Sequence, residues 1–390
     1  MKKVLILTCS TGQGHNSCAA AIEEYFKTRG VECDITDSLT FFSEGTAKFI
    51  SWGHSFIYRH LPWLFKWGYS FTKRHKALLG ENSPLCTLLR RCSERLRDYI
   101  GSEGFDTIIC THLFPAIAIT GIQRNSPVDV LVAFVFTDYT AYPGTEALAM
   151  DRYFVPDEDT RKECLQLGLP EEKVTVTGIP VSQKFFAPMD KARAKQALRL
   201  DAGKAHLLVM CGSMGCGPIK QLLKEIALGL HGEANVTVIC GTNNRLFNQL
   251  RKKYEDTPGV RVIGYTRFIS LYMDSADLFL TKPGGISVTE ASAKALPMAF
   301  INAVAGCEQY NMDFFIRHGF AFTNTCVKEL AESCVTALRG ETQLLEMRRD
   351  LQCHEWPNGA KQVFMELESS NENMENGRLY KAEHKNTEHP

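Results

Sequence analysis

The stretch Val4-Leu5-Ile6-Leu7, followed by Ser10-Thr11-Gly12-Gln13-Gly14-His15-Asn16, decides how the chain is read. A short apolar run of this kind suits a strand buried on both faces. Two glycines then lead into a helix-length segment from about His15 to Arg29. In such a strand-to-helix turn, backbone amides converge at the strand's C-terminal edge. Gly12 and Gly14 fit two positions of the three-glycine dinucleotide pattern, but Ser17 occupies the third. Asp37 ends the second strand, where a ribose ligand would stand. That match is weak, and a purely structural turn fits it too. Neither reading needs an imidazole at the mouth of the helix. His15 titrates near neutrality, and the helix N-terminus disfavours its protonated form, so it is a candidate general base.

Outward from this turn the rhythm repeats. Strand-like runs follow at Val31–Asp37, Thr107–Thr111, Val128–Phe136, Arg152–Val155 and Val174–Thr177. A second set comprises His206–Cys211, Val236–Cys240, Val260–Ile263, Leu278–Leu280 and Met298–Ile301. Helix-length stretches separate them, which predicts parallel sheets covered on both faces, an α/β doubly wound pattern occurring twice. We expect a first domain over 1–185 and a second over 186–355. A helix over 356–369, containing Ala360–Leu367, returns to the first domain in this reading. The polar tail 370–390 is expected to be disordered.

Composition bounds the function. The 390 residues are 44% hydrophobic and 23% charged, ordinary for globular domains. Lys plus Arg equals Asp plus Glu at 44 each, so net charge points to no nucleic-acid partner. The 14 cysteines show neither CxxC pairs nor His/Cys ligand spacing, which predicts buried free thiols in a reducing cytosol and no metal site. The start Met1-Lys2-Lys3-Val4 runs straight into a strand, without the pattern of a signal peptide. No apolar run approaches the roughly 20 residues that span a bilayer, so membrane contact would be peripheral.

Two more glycine-bearing turns lie in the second half. Cys211-Gly212-Ser213-Met214-Gly215-Cys216-Gly217 follows one strand and opens a helix. Lys282-Pro283-Gly284-Gly285-Ile286-Ser287-Val288-Thr289-Glu290 follows another. Glycine amides and helix ends attract anions. A carboxylate at Glu290 can accept both hydroxyls of a ribose, and Lys282 can meet a leaving diphosphate. Each turn alone reads as structural; together they point to a nucleotide-diphosphate site.

At this point the chain resembles a known family. "KPGGISVTEASAKALPM" and "GCEQYNMDFFIRHGFAF" are similar to the nucleotide-sugar domain of family 28 glycosyltransferases. "STGQGHNSCAAAI" and "VFTDY", with "DRYFVPDE" and "KVTVTGIPV", resemble the acceptor domain, in the group of monogalactosyldiacylglycerol synthases and processive diacylglycerol glucosyltransferases. The resemblance extends to about residue 365. It implies a GT-B fold, with two Rossmann-like domains facing across a cleft, an inverting mechanism and no cofactor or metal. It implies His15 as base, with Asp138 orienting the acceptor or His15. Gly14, Ser213, Met214, Gly215, Lys282, Gly284, Gly285 and Ser287 belong to the implied donor site. Phe268 would lie near the uracil, Glu290 would hold the ribose, and Glu308 and Gln309 would face the sugar. Cys307 stands where the family usually has glutamine, and Tyr142 and Thr145 stand where close relatives often carry histidine and tryptophan.

The insert over 45–100 breaks the βαβ rhythm. Trp52, Trp63 and Trp67 lie there among bases such as Arg59 and Lys66. Aromatics suit the headgroup level and bases attract anionic lipid. Four engaged bases at about 1 kcal/mol each would concentrate the chain roughly a thousand-fold at a surface. The cleaner stripe Leu85, Leu88, Leu89, Cys92, Leu96 and Tyr99 reads as packing on the domain. The expected activity is hexose transfer from UDP-hexose to diacylglycerol at the cytoplasmic face of an anionic membrane. The alternatives are a UDP-N-acetylglucosamine transferase acting on a polyprenyl-linked acceptor, a UDP-sugar 2-epimerase, and a non-catalytic UDP-sugar-binding protein.

Overall fold

The first apolar run forms strand β1 (Lys3–Thr8), in which Val4 to Leu7 are fully buried. β1 pairs in parallel with β2 (Glu32–Asp37) on one side and β3 (Thr107–Cys110) on the other. The computed structural model describes residues 1–10, 13–41, 84–212, 217–301, 306–340 and 342–385. The called membrane residues Trp52, Arg59, Trp63, Lys66 and Trp67 lie outside them, as do the donor-turn residues Ser213, Met214 and Gly215.

Two compact units emerge. Unit 1 runs to Gln183 and resumes at Pro357; unit 2 runs from Lys184 to Trp356. In unit 1, β4 (Leu131–Val135), β5 (Arg152–Val155) and β6 (Val174–Val176) complete a parallel sheet of order β2-β1-β3-β4-β5-β6. The connecting helices are α1 (Gln13–Thr28), α2 (Pro84–Glu103), α3 (Leu113–Asn125) and α4 (Glu158–Gln166). Leu96 and Ile100 of α2 join Ile108, Ile119 and Phe134 in one core, as the leucine stripe predicts for that end of the insert. Each such fully buried side chain contributes about 1.5–3 kcal/mol.

In unit 2, α5 (Lys191–Ala197) precedes β7 (His206–Met210), α6 (Ile219–Leu230), β8 (Asn235–Ile239), α7 (Asn244–Tyr254) and β9 (Val260–Ile263). Then come α8 (Ile269–Ser275), β10 (Leu278–Thr281), α9 (Gly285–Ser292), β11 (Met298–Phe300), α10 (Cys307–Arg317) and β12 (Ala321–Thr323). α11 (Val327–Gly340) and α12 (Thr342–Cys353) close the unit. The sheet order is β12-β11-β10-β7-β8-β9, again wholly parallel. The doubly wound α/β expectation therefore holds for both units.

In each sheet, two adjacent strands leave toward opposite sides. These switch points are β1 beside β3 and β7 beside β10, and ligands of such sheets bind beyond the strands' carboxyl ends there.

Two differences from the sequence reading are informative. β12 is a three-residue edge strand, too short to carry a periodic signal. The C-terminal helix runs Gly359–Lys385, past residue 369, where the tail was expected to lose structure. Its polar residues Ser370 and Asn371 are buried. Ser370 Oγ accepts from Arg152 Nε at 3.1 Å, and Asn371 Nδ2 donates to Thr107 Oγ1 at 3.1 Å. Buried polar partners, invisible in composition, carry the helix onward. Nearer its start, Phe364 sets its ring edge-on to Tyr25 and Phe26 of α1, with centroids 5.8 and 5.2 Å apart.

Among the described residues no helix is long and apolar enough to cross a membrane. Their cysteines are free thiols, most of them buried, and burial pushes Cys33 and Cys164 up to about 12.

Candidate active site

In unit 1 the switch point gathers four segments around His15. Thr8 Oγ1 donates to Asn16 Oδ1 at 2.8 Å, tying the end of β1 to the first turn of α1. Asp37 accepts the amides of Ser10 at 3.3 Å and Leu39 at 2.9 Å. It closes the turn where the dinucleotide reading would have it hold a ribose. Gly14 stands in the first turn of α1, beside His15.

His15 Nδ1 lies 2.8 Å from the carbonyl oxygen of Thr111, directly after β3. A carbonyl only accepts, so Nδ1 carries a hydrogen, and in the neutral ring the lone pair sits on Nε2. Thr137 Oγ1 lies 3.2 Å from the same Nδ1. Asp138 accepts from Tyr142 Oη at 2.9 Å. The Asp138 loop is braced from α4, where Glu163 accepts from Thr140 Oγ1 at 3.0 Å and the Ala141 amide at 2.8 Å.

A second imidazole, missed by the sequence reading, stands here. His112 is the N-cap of α3 and accepts the Phe114 amide at 3.0 Å. Its ring meets His15 edge-on, with centroids 4.5 Å apart. The available signal was a histidine directly after a strand next to β1, but that adjacency is not written in the sequence.

In unit 2, β7 pairs with β10, matching Met210 to Thr281, so the turns after these strands are neighbours. Gly212 has φ 69°, and a β-carbon there would sit 2.8 Å from Lys282 Cε. Only glycine leaves the lysine stem this path. Lys282 Nζ donates to Glu308 Oε1 at 2.6 Å. Asn311 Nδ2 donates to the Pro283 carbonyl at 2.9 Å, binding α10 to the same turn. Gly284 is the N-cap of α9 and offers no side-chain acceptor, so the first amides of α9 at Gly285, Ile286 and Ser287 keep their pull on an anion.

Glu290 lies in α9, and its carboxyl group makes no hydrogen bond to the described residues. Its environment pushes it up to about 8 by burial, against a weaker downward pull from Lys184, although part of its surface stays accessible. A carboxylate in that condition gains most from ligand hydroxyls. Gln309 is engaged elsewhere, donating to Asp313 Oδ1 at 2.8 Å. Phe268, the N-cap of α8, is 68% exposed and Tyr265 69%, so both rings are open to a flat partner. Among the described residues no group of three His, Cys, Asp or Glu side chains is arranged to hold a metal ion.

Comparison with known proteins bears on both units. Residues 15–181 match the family model "Monogalactosyldiacylglycerol (MGDG) synthase", and residues 206–363 match "Glycosyltransferase family 28 C-terminal domain". The chain is 26% identical over 377 residues to a processive diacylglycerol beta-glucosyltransferase of Staphylococcus saprophyticus, covering 94% of this chain and 92% of that one. Among solved structures, Acinetobacter baumannii MurG is similar with a TM-score of 0.64 and 15% identity, covering 93% of this chain and 98% of that one. The UDP-GlcNAc 2-epimerase of Neisseria meningitidis, bound to UDP-GlcNAc, gives 0.59 and 13%, covering 94% and 99%. These structures share the GT-B fold, which extends to transferases and epimerases alike, so fold alone does not choose between them. The sequence matches do: this chain belongs to the family 28 glycosyltransferases, with an N-terminal half of the monogalactosyldiacylglycerol synthase type.

Proposed function

We propose that the chain transfers a hexose from UDP-hexose to the free hydroxyl of diacylglycerol at the cytoplasmic face of a membrane, with inversion at the anomeric carbon. The observation that carries the reading is the 2.8 Å approach of His15 Nδ1 to the Thr111 carbonyl, from which we assign the neutral ring an Nδ1–H and make Nε2 the base. The acceptor oxygen attacks the anomeric carbon while its proton passes to Nε2. The bond from that carbon to the phosphate oxygen breaks, and its electron pair leaves with UDP. Lys282 and the N-terminus of α9 meet the leaving charge, so the step needs neither metal nor cofactor. Glu290 accepts the ribose hydroxyls, Phe268 lies against the uracil, and Glu308 faces the sugar.

Several findings support the substrates. The relative from S. saprophyticus is named for diacylglycerol and for β-linked glucose. A β product from an α-linked nucleotide donor is an inversion, as one in-line attack gives. The epimerase of the same fold was solved with a uridine nucleotide sugar. The insert tryptophans 52, 63 and 67, with Arg59 and Lys66, supply the membrane contact in this reading.

The test is a donor panel of UDP-glucose, UDP-galactose and UDP-N-acetylglucosamine with diacylglycerol vesicles, followed by mass analysis of the lipids. The expected product is a hexosyl-diacylglycerol. His15→Ala should lower turnover by about 10²–10⁴-fold while calorimetry still registers UDP binding. Absence of glycolipid with every donor overturns the reading, and unchanged turnover in H15A removes His15 from it.

A further inference from the structure

Hydrogen counting links Asp138 to His15. A carboxylate only accepts, so the one hydroxyl hydrogen of Tyr142 is committed to Asp138 Oδ2 at 2.9 Å. Tyr142 Oη then acts as acceptor toward Thr137, from the amide at 3.2 Å and from Oγ1 at 3.0 Å. With its hydrogen committed to Tyr142, Thr137 Oγ1 acts as acceptor toward His15 Nδ1–H at 3.2 Å. That hydrogen is shared with the Thr111 carbonyl at 2.8 Å. Every link thus has one direction, from His15 through two hydroxyls to a carboxylate. The tyrosine ring is fixed for the task, stacked on Phe136 at 5.3 Å with 3° between planes.

We propose that Thr137, Tyr142 and Asp138 form a hydroxyl relay that holds His15 in its Nδ1–H tautomer and stabilises the imidazolium formed when Nε2 takes the acceptor proton. This rests on the reading of His15 as base. No proton travels along the relay; each hydrogen stays on its own heteroatom, and the chain of dipoles aligns toward the carboxylate as charge appears on the ring. The residues are positioning residues, since none touches the reacting atoms. The Tyr142 position, where close relatives often carry histidine, thus has a use in this chain.

Other titratable groups stand on the segments around His15. His112, the N-cap of α3, meets its ring edge-on, Asp37 at the end of β2 holds the Ser10 amide, buried Cys9 follows β1, and the Asp138 loop adds Asp138 and Tyr142 themselves. Tyr142→Phe leaves the first three in place and keeps the ring on Phe136, so it isolates the relay.

The experiment compares Y142F, Thr137→Val, Thr137→Ser and Asp138→Asn in the full chain by two readouts. One is the pH profile of kcat/KM for glycolipid formation. The other is an NMR titration of ¹³C-histidine-labelled protein, with His15 assigned through His15→Gln. Losing the carboxylate's influence should lower the His15 pKa by about one unit. The acid limb then moves about one unit toward acid, and the plateau falls about tenfold because the base is weaker. T137S restores both values and T137V does not. Unmoved titration and acid limb in Y142F and T137V overturn the relay, as does failure of T137S to restore them. A shifted titration in a protein that glycosylates nothing upholds the relay and sinks the proposed transfer instead. Transfer with an unshifted titration does the reverse.

Discussion

Glu290 illustrates how surroundings set the use of one carboxylate. Its group is pushed up to about 8 by burial, whereas an unhindered glutamate titrates near 4.5. Between those values the folded chain keeps a proton that the unfolded chain has released. Stability therefore falls as pH rises from about 4.5 to about 8. Glu290→Gln should raise the melting temperature by a few degrees at pH 8 and change it little at pH 4. It should also weaken UDP binding about tenfold if Glu290 holds the ribose as proposed. Calorimetry at both pH values checks this, and identical melting at pH 8 would show a well-solvated carboxylate. Much of this residue chemistry was legible from local sequence. A glycine turn after an apolar run places His15 at a strand edge, and Gly284-Gly285 five residues before Glu290 places a carboxylate one turn into a helix. The partners of His15 were not legible. Thr111 is 96 positions away and Thr137 is 122, brought near only by the pairing of β1, β3 and β4. Tyr142 stood out in the sequence as a departure from relatives, without a reason to value its hydroxyl.

Among the elements, buried parallel strands announce themselves because both faces must be apolar. β5 begins and ends where its strand-like run does, with Tyr153, Phe154 and Val155 buried. β12 escaped because three residues on a sheet edge carry no period. The last helix was foreseen only in part, since Ala360, Val363, Phe364 and Leu367 mark its apolar face but the buried Ser370 and Asn371 do not look like core. Phe364 is the test of that helix. Phenylalanine-to-alanine changes in a core cost about 3–5 kcal/mol. Phe364→Ala should lose most of this range, because the ring sits against both Tyr25 and Phe26. Hydrogen exchange followed by mass spectrometry should show α1 amides losing protection while β7 and β8 keep theirs. Equal loss in both places would mean that the helix supports more than α1.

For the molecule as a whole, acid tolerance depends on unit 2. His206 is buried in β7, where Ser275 Oγ lies 3.0 Å from Nδ1 and Thr237 Oγ1 lies 2.9 Å from Nε2. Burial lowers it to about 4, from an ordinary 6.5. Between these values the unfolded chain takes up a proton that the folded chain refuses, so stability is lost as pH falls from about 6.5 to about 4. Asp277 works in the same direction. Burial alone would raise it, but Lys191 and the His206 amide hold it below the usual carboxylate range, and that contribution also fades in acid. Melting of the wild-type chain should fall more steeply across this window than that of His206→Gln, and parallel curves would exclude the histidine. The path of the chain carries a further consequence. Unit 1 is interrupted by unit 2 and is completed by the segment after Trp356. On the ribosome, the strands and helices of unit 2 therefore emerge and can fold while α1 still lacks the aromatic backing of Phe364. The helix that carries His15 is finished last, so a nascent chain stalled before its final segment holds an unsupported first unit.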